Sequence, residues 1–373
     1  MNIHYVSGSR ADFGLMRHCL CALRDRGGHY VEIVATGQHT NAHYGDTLGD
    51  IVASGLPVLR TIPANLSGAG GAEMALAMAA ELTGMVELWQ EHRPDLVLLL
   101  GDRGEMLAGA LAAVHLGIHV GHIGGGERSG TLDESFRHAV SKLSHFHFPT
   151  TDQSFDRLVR MGEDPAAMHM IGAPGLVGLA QSADREWLLA RFGLPTDQPI
   201  ALTIFHPVVQ EADTAGAQMR AVIKAVADEG YSQIVLRPNS DAGGEQIDAV
   251  LDELSGLGRI QIVIHLERND YCRVLASADI IVGNSSSGII ESASFGLPCV
   301  NIGSRQNGRE RNANTVAAPL ADIATITAAL RKARKLPRRF TNLYGDGQAD
   351  RRLVDAIGRI DLSPRSLSKQ NSY

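Results

Sequence analysis

In the first half of the chain, several acidic residues and histidines follow one short hydrophobic run in the sequence. The run contains His122 and ends at Ile123, three glycines and Glu127 follow, and Asp133 comes six residues further on. Three consecutive glycines permit a backbone path that residues with side chains could not follow. Carboxylates that share one cleft shift each other's pKa values, which can produce one acid and one base. The pattern predicts an acid–base site, and the alternative is an acidic helix start that complements the helix dipole.

Two further turns in the first half carry charged residues. Residues 7–12 have the sequence SGSRAD, in which small residues let the backbone approach a ligand and Arg10 adds a positive charge. Asp102 and Arg103 follow an aliphatic run, and a carboxylate at a strand end can act as a general base or acid. Each turn by itself is also compatible with an ordinary turn or a helix N-cap.

The second half contains a segment suited to an anion. Residues 282–291 have the sequence VGNSSSGIIE, and the serine hydroxyls and free N–H groups at a helix start can surround a diphosphate. We predict a helix at residues 288–295, on whose first turns Glu291 is placed to accept hydrogen bonds from a ribose. Three serines and two glycines exceed what a simple N-cap needs. The second half has other polar turns at residues 206–207, 237–241 and 303–309.

Regular alternation of strands and helices must position these turns. The run at residues 96–100 is continuously apolar, as in parallel strands buried on both faces. We predict strands at 2–6, 31–36, 57–62, 96–100, 119–123, 145–149, 200–205, 233–237, 260–264, 279–282 and 298–302. Such alternation implies right-handed βαβ units and doubly wound parallel sheets, in which ligands bind beyond the carboxyl ends of the strands.

The alternation restarts near residue 180, after which a more polar segment carries Gly193, Pro195 and Pro199. We therefore predict an α/β protein with two doubly wound Rossmann-like domains and an active site in the cleft between them. The first domain spans residues 1–181 and holds the carboxylates, and the second spans 182–361 and holds the diphosphate. The Ser-rich residues 362–373 are predicted to form a flexible tail.

Composition excludes several other classes of protein. The chain has 373 residues and a net charge of −7, so neither a nucleic-acid-binding surface nor a polybasic membrane anchor is expected. The first residues lack the pattern of a signal peptide, and the longest uncharged run contains turn-forming glycines rather than a membrane span. Four scattered cysteines favour a reduced, cytoplasmic protein. The 15 histidines show no convincing zinc pattern, so we expect no metal.

Taken together, the turns resemble those of the hydrolysing nucleotide-sugar 2-epimerases, whose best-known member acts on UDP-N-acetylglucosamine and opens sialic acid biosynthesis. The resemblance spans residues 1–361 and is carried by eight segments in order: 7–16, 36–47, 101–108, 122–148, 205–208, 237–243, 283–291 and 303–310. It implies a glycosyltransferase-B-like arrangement of two domains, often as a dimer or tetramer. It also implies a UDP-linked N-acetyl sugar as substrate, with no cofactor and no metal.

The resemblance also implies a reaction and a set of site residues. The C2 proton is removed and UDP is expelled to give a 2-acetamidoglucal, and water then adds to release the 2-epimeric sugar, N-acetylmannosamine. Asp102 and Asp133 fall on the family's catalytic carboxylates. The family's nucleotide-binding positions are matched by Arg10, Arg103, His206, Asn239, Ser285, Ser286, Glu291 and Arg305.

Two positions depart from the family pattern. Members with an assigned second catalytic carboxylate have Glu where this chain has Gly124, and Glu127 is the nearest candidate replacement. We therefore expect Asp102, Asp133 and Glu127 to share the acid–base work. Gly14 stands where related enzymes often have Ser at the nucleotide site. A glycine at position 124 could also enlarge the sugar pocket enough for a 4-acetamido group.

Alternatives remain open at this stage. UDP-N-acetylglucosamine is favoured as substrate over UDP-N,N′-diacetylbacillosamine, or a GDP-linked counterpart, on the route to legionaminic acid. A non-hydrolysing epimerase, which keeps UDP on the sugar, would use a similar fold. So would a glycosyltransferase, which needs an acceptor but no C2 deprotonation, and an inactive nucleotide-sugar sensor, which would bind UDP without turnover.

Overall fold

Two compact units make up the chain in a computed structural model. The structure describes residues 1–41, 47–64, 71–129, 133–179, 182–238, 243–256 and 258–372. The first unit comprises Met1–Gly178 together with Tyr344–Tyr373, and the second comprises Leu179–Leu343. Within the described ranges, no helix is both long and apolar enough to cross a membrane.

A six-stranded parallel sheet forms the centre of the first unit, in the order β3-β2-β1-β4-β5-β6. Its strands are β1 (Asn2–Ser7), β2 (Tyr30–Ala35), β3 (Val58–Thr61), β4 (Leu96–Leu100), β5 (His119–Ile123) and β6 (Phe146–Phe148). The helices are α1 (Arg10–Asp25), α2 (Leu48–Ala53), α3 (Gly71–Glu91), α4 (Gly104–His115), α5 (Asp133–Leu143), α6 (Asp152–Arg160) and α13 (Ala349–Ile357). Short 3-10 helices lie at 37–40, 165–167, 174–176 and 364–367.

The second unit repeats this connectivity, with the sheet order β12-β11-β10-β7-β8-β9. Its strands are β7 (Ile200–Ile204), β8 (Ser232–Leu236), β9 (Ile260–Val263), β10 (Ile280–Gly283), β11 (Cys299–Ile302) and β12 (Thr315–Ala318). The helices are α7 (Arg185–Phe192), α8 (Ala215–Asp228), α9 (Gly244–Leu254), α10 (Arg268–Ser277), α11 (Ser287–Ile290) and α12 (Ile323–Ala333). Two 3-10 helices lie at 209–214 and 292–295.

The predicted fold class of two doubly wound Rossmann-like domains is confirmed. Both sheets are parallel throughout, and strand β4 shows why the apolar runs were informative. Leu96 and Leu98 pack into the core cluster that includes helix α1, while Val97 and Leu99 pack into the cluster that includes α3 and α4. A central strand covered on both faces needs apolar residues at successive positions. Strand β12 was not predicted, because this short edge strand buries only Ala318 fully.

The C-terminal segment differs from the predicted boundaries. The chain leaves the second unit after Leu343, so residues 344–361 belong to the first unit rather than to the second domain. Helix α13 packs against α1, where Leu353 and Ile357 are fully buried in the same cluster as Leu20. Burial of an amphipathic helix face draws this segment back to the first sheet, and sequence order alone does not reveal such a return.

The predicted flexible tail is also held in place. Lys369 lies against Glu163, with 2.5 Å between its Nζ and Oε2, and Lys142 and His147 bind the same carboxylate at 2.8 Å. The Glu163 side chain is fully buried. Burial by itself would raise the pKa of Glu163, but hydrogen bonds from His147, Lys142 and Lys369 outweigh it and lower the pKa to about 2. A polar tail is thus fixed by one buried acid.

Replacing this acid tests how much the cluster stabilises the fold. Because the folded-state pKa of Glu163 lies below its ordinary value of 4.5, its stabilisation is present above pH 4.5 and is lost as pH falls towards 2. Glu163→Gln should lower the free energy of unfolding by about 3 kcal/mol at pH 7. The difference from the wild type should shrink to less than half near pH 3. Denaturant unfolding across this range measures it, and a pH-independent difference would contradict the assignment.

Candidate active site

Polar turns in each unit follow the strands at which the order of the sheet reverses. In the first unit these strands are β1 and β4, and in the second they are β7 and β10. In open α/β sheets this reversal opens a crevice beyond the carboxyl ends of the strands. The predicted site residues Arg10 and Asp102 follow β1 and β4, and His206 and Ser285 follow β7 and β10.

Arg137 connects two of the predicted catalytic turns in the first unit. It lies on α5, is 2% exposed, and forms an ion pair with the Asp102 carboxylate through its Nη2 atom. Its Nη1 atom donates a hydrogen bond of 3.1 Å to the backbone carbonyl of Glu127. The Glu127 carboxylate in turn accepts a 2.6 Å hydrogen bond from the Thr150 hydroxyl. Asp102 and Glu127 are therefore held by one buried cation.

The glycine run after β5 has a path that side chains would block. Gly126 has a φ of +78°, and a Cβ atom there would lie 2.2 Å from the Ser154 carbonyl oxygen. Gly124 has a φ of +74°, and a Cβ atom there would lie 3.8 Å from Oε1 of Glu127. The Glu127 carboxylate thus lies beside the point from which a side chain at position 124 would extend.

His122 supports the turn that carries Asp102. Its Nε2 lies 2.7 Å from the Gly101 carbonyl oxygen, which can only accept, so we place the proton on Nε2. Its Nδ1 then accepts a 3.0 Å hydrogen bond from the Ser141 hydroxyl. Burial lowers the pKa of His122 to about 3, so the ring is neutral near pH 7. His122 therefore positions Gly101 rather than exchanging protons.

The predicted cations of the first unit face several carboxylates. Arg10 forms an ion pair with Asp50, with 2.7 Å between Nε and Oδ2. Arg103 Nε lies 3.4 Å from Glu105 Oε1. The negative charge of Glu105, and to a smaller extent those of Asp12, Asp102 and Asp133, raises the pKa of Arg103, although desolvation opposes this. Asp133 is the exposed first residue of α5. The structure thus brings Asp102, Asp133 and Arg103 into one electrostatic environment.

Two buried carboxyls, Asp12 and Glu81, were not predicted as site residues. Both form hydrogen bonds with residues at or near the ends of strands in the first unit. Asp12 accepts hydrogen bonds from the Ser7 hydroxyl at 2.6 Å and the Gly8 amide at 2.9 Å, and burial raises its pKa to about 6. Glu81 accepts from Thr36 at 3.0 Å, and burial raises its pKa to about 8. An acidic residue within the otherwise apolar middle of α3 was the available signal for Glu81.

In the second unit, Asn284 holds the turn that carries His206. The His206 amide donates to Asn284 Oδ1 at 2.7 Å, and Asn284 Nδ2 donates to the His206 carbonyl at 2.7 Å. Arg305 donates to the Asn284 carbonyl at 3.2 Å. Burial, followed by the nearby Arg305 charge, lowers the pKa of His206 to about 3. The imidazole is therefore neutral near pH 7.

The serine turn differs from the predicted long helix start. The helix expected at 288–295 is divided into α11, which has four residues, and a separate 3-10 helix. Ser286 is the N-cap residue of α11, but its side chain makes no capping hydrogen bond. A helix of one turn has too few aligned peptide units for an appreciable macrodipole. An anion here would rely on local N–H groups and hydroxyls.

Glu291 has protein partners on both carboxylate oxygens. Its Oε2 accepts from the Ser287 hydroxyl at 2.5 Å, and its Oε1 lies 2.7 Å from Arg268 Nη2. Glu291 as a whole is 5% exposed. Tyr271 hydrogen-bonds to the same Ser287 hydroxyl. Each oxygen retains one lone pair for a further donor, as the predicted ribose contact would require.

A depression of about 340 Å³ adjoins these residues within the second unit. Its lining includes His206, Leu236, Pro238, Ile264, Tyr271 and Ser285. The lining combines apolar side chains with a few polar ones, a mixture that is common in small-molecule sites. The predicted binding residue Asn239 lies outside the described residues. Within the described part of the chain, no group of three or more His, Cys, Asp or Glu residues could hold a metal ion.

Several known proteins are similar to this chain. A family model described as UDP-N-acetylglucosamine 2-epimerase matches residues 22–358. A UDP-N,N′-diacetylbacillosamine 2-epimerase (hydrolyzing) from Legionella pneumophila is 45% identical, covering 100% of this chain and 99% of the relative. A UDP-N-acetylglucosamine 2-epimerase from Neisseria meningitidis serogroup B is 34% identical, covering 82% of this chain and 80% of the relative.

Solved structures agree on the fold. The crystal structure of UDP-GlcNAc 2-epimerase from Neisseria meningitidis bound to UDP-GlcNAc has a TM-score of 0.81 at 16% identity, covering 96% of this chain and 100% of that one. The two Rossmann-like units and their polar turns define a glycosyltransferase-B-like enzyme that acts on a nucleotide sugar. More particularly, the chain belongs to the UDP-N-acetylglucosamine 2-epimerase family.

The close approach at Gly126 gives a stability test of the glycine run. Gly126→Ala forces a side chain into a left-handed backbone conformation and against a carbonyl, so it should lower the free energy of unfolding by at least about 2 kcal/mol. Gly14→Ala is the matched control, because Gly14 lies on the exposed face of α1 with open space where its Cβ would be. The control should leave stability unchanged or raise it by up to ~1 kcal/mol. Thermal unfolding compares them, and equal effects would contradict the described path.

Proposed function

We propose that the protein is a hydrolysing 2-epimerase of UDP-N,N′-diacetylbacillosamine. The observation that carries this proposal is the 45% identity to the Legionella enzyme along the whole chain, against 34% over 82% of it for the Neisseria enzyme. A GDP/UDP-N,N′-diacetylbacillosamine 2-epimerase (hydrolyzing) from Campylobacter jejuni is also related, at 28% identity. The sequence analysis favoured UDP-N-acetylglucosamine, and the comparisons support its alternative better.

The geometry at Gly124 supports the same substrate. A glycine leaves open the space beside the Glu127 carboxylate, where a longer side chain would otherwise extend. We propose that the 4-acetamido group of the sugar uses this space. The Thr150 hydroxyl, which donates to Glu127 Oε1, fixes the carboxylate oxygen that borders this space.

The proposed reaction has two steps. First, a carboxylate takes the C2 proton, the C2–H electron pair forms the C1=C2 double bond, and the C1–O bond breaks so that UDP leaves with its electron pair. Water then adds across the double bond, its oxygen to C1 and a proton to C2 on the opposite face. The products are UDP and the 2-epimeric free sugar, so atoms and charges balance without a redox cofactor.

Each proposed site residue has a role in these steps. Asp102, Asp133 and Glu127 would share the two proton transfers, which need carboxylates in different protonation states at one site. Arg10, Arg103 and Arg305 would stabilise charge on the departing diphosphate. Neutral His206 and the hydroxyls of Ser285 and Ser286 would donate hydrogen bonds to it, and Glu291 with Asn239 would bind the nucleoside. The predicted position of this site between the domains stays a prediction.

Substrate assignment has a direct test by proton NMR in D2O. With UDP-N,N′-diacetylbacillosamine the pure protein should release UDP and a 2-epimeric sugar deuterated at C2. UDP-N-acetylglucosamine in a parallel tube should turn over at least about tenfold more slowly, a difference of ~1.4 kcal/mol in transition-state binding. Preference for UDP-N-acetylglucosamine would overturn the substrate assignment. A UDP-linked epimer would indicate the non-hydrolysing reaction, and binding without C2 exchange would indicate a sensor.

Replacement of Glu127 tests whether this residue takes the role of the glutamate that relatives have at position 124. Glu127→Gln keeps the size of the side chain and its contact with Thr150 but removes a proton acceptor, so kcat should fall by about 100-fold or more with KM little changed. Asp156→Asn, the equivalent charge change on the exposed face of α6, is the control. Wild-type kcat in Glu127→Gln would remove Glu127 from the acid–base set.

We further propose that this activity supplies a sugar on the route to legionaminic acid. A cytoplasmic location and a homodimer or homotetramer are part of the same proposal, because they are the family's usual setting. Size-exclusion chromatography with light scattering measures the oligomeric state directly.

A further inference from the structure

The last residues of the chain form an ordered strap, defined here as residues 364–372. Ser366 Oγ lies 2.8 Å from His119 Nε2 on strand β5. Asn371 accepts a 2.5 Å hydrogen bond from Lys142, and the Ser372 amide donates to the Gly162 carbonyl at 2.8 Å. The strap therefore lies along the surface of the first unit and is bonded to β5, to α5 and to the turn after α6.

Lys369 is the centre of these contacts. Its side chain is 19% exposed, and its Nζ donates to the backbone carbonyls of Ser141 and Lys142 at 3.0 and 2.9 Å. These carbonyls belong to the last turn of α5, where carbonyls need partners from beyond the helix; the Ser141 carbonyl also accepts from the Ser144 amide at 3.2 Å. A cation at this end also complements the helix dipole. With Glu163 as a third partner, Lys369 caps the carboxyl end of α5.

One face of helix α5 carries residues that contact the Asp102 turn directly or through His122. Asp133, Arg137 and Ser141 are spaced four apart and so share a helix face. Arg137 is ion-paired with Asp102, and the Ser141 hydroxyl donates to His122. His122 in turn donates to the carbonyl of Gly101, the residue before Asp102. The position of α5 along its axis therefore sets the position of Asp102 through two routes.

We propose that Lys369 is a positioning residue for catalysis, because it fixes α5 and with it the Asp102 turn. This inference rests on the role proposed above for Asp102 and Asp133. Lys369 itself contacts neither carboxylate. Its effect would pass through the Ser141 backbone and hydroxyl to His122 and Gly101. A shift of about 1 Å at a catalytic group far from the mutated residue can reduce turnover by about 100-fold.

The inference is tested in the full-length enzyme with Lys369→Met, which keeps the aliphatic stem and removes the charge. The proposal expects kcat to fall by about 10-fold or more, with KM changed less than twofold. Lys369→Arg should recover most of the loss. Gln370→Met, an exposed position next along the strap, is the control and should behave as the wild type. Assays are run well below the melting temperature of each variant.

A spectroscopic readout separates positioning from simple anchoring. The Nε2–H proton of His122, which donates to Gly101, should shift or broaden in the NMR spectrum of Lys369→Met. Ser141→Ala, which breaks the bond to His122 but leaves the Lys369 contacts, should reproduce the loss of kcat even if Lys369→Met folds poorly. A lower melting temperature with unchanged kcat and an unchanged His122 signal would overturn the inference.

Asp102→Asn distinguishes failure of this inference from failure of the proposed function. If Asp102→Asn is inactive while Lys369→Met and Ser141→Ala match the wild type, the strap has no positioning role and the proposed function stands. If Asp102→Asn retains full turnover, the proposed role of Asp102 is wrong, and with it the positioning role of Lys369.

Discussion

The ion pair between buried Arg137 and partly exposed Asp102 is the interaction on which the first unit's candidate site depends. An arginine with 2% exposure must have its charge compensated, because an unpaired buried charge costs several kcal/mol. Asp102 provides that compensation from the turn after β4, and the Glu127 carbonyl provides a further acceptor from the turn after β5. One side chain thus holds turns that are 25 residues apart in the sequence.

Burial of charge also explains the electrostatics around this pair. Burial raises the pKa values of Asp12 and Glu81, whereas hydrogen bonds from three donors outweigh burial and lower the pKa of Glu163. Desolvation acts on all three carboxyls, and their partners decide whether the pKa rises or falls.

The sequence supported accurate expectations where structure is local. Strand β4 follows from an uninterrupted apolar run, and the turns after β1, β4 and β7 follow from small and charged residues behind such runs. Arg137 links the Asp102 carboxylate to the backbone carbonyl of Glu127, and the shared acid–base role of the two side chains stays a prediction. The assignment of helix 288–295 failed because Glu291 and Ser292 turn the chain into a 3-10 helix, and hydrophobic pattern does not separate the two helix types over so few residues.

By itself, the sequence determined the α/β class, the two sheets and the family, because hydrophobic periodicity and ordered turns are properties of the chain read in one dimension. Only the tertiary structure decided that residues 344–372 return to the first unit and that Lys369 caps α5. It also decided that His122 is a neutral support rather than an acid. These features depend on burial and on partners distant in sequence, and those are set by packing rather than by composition or spacing.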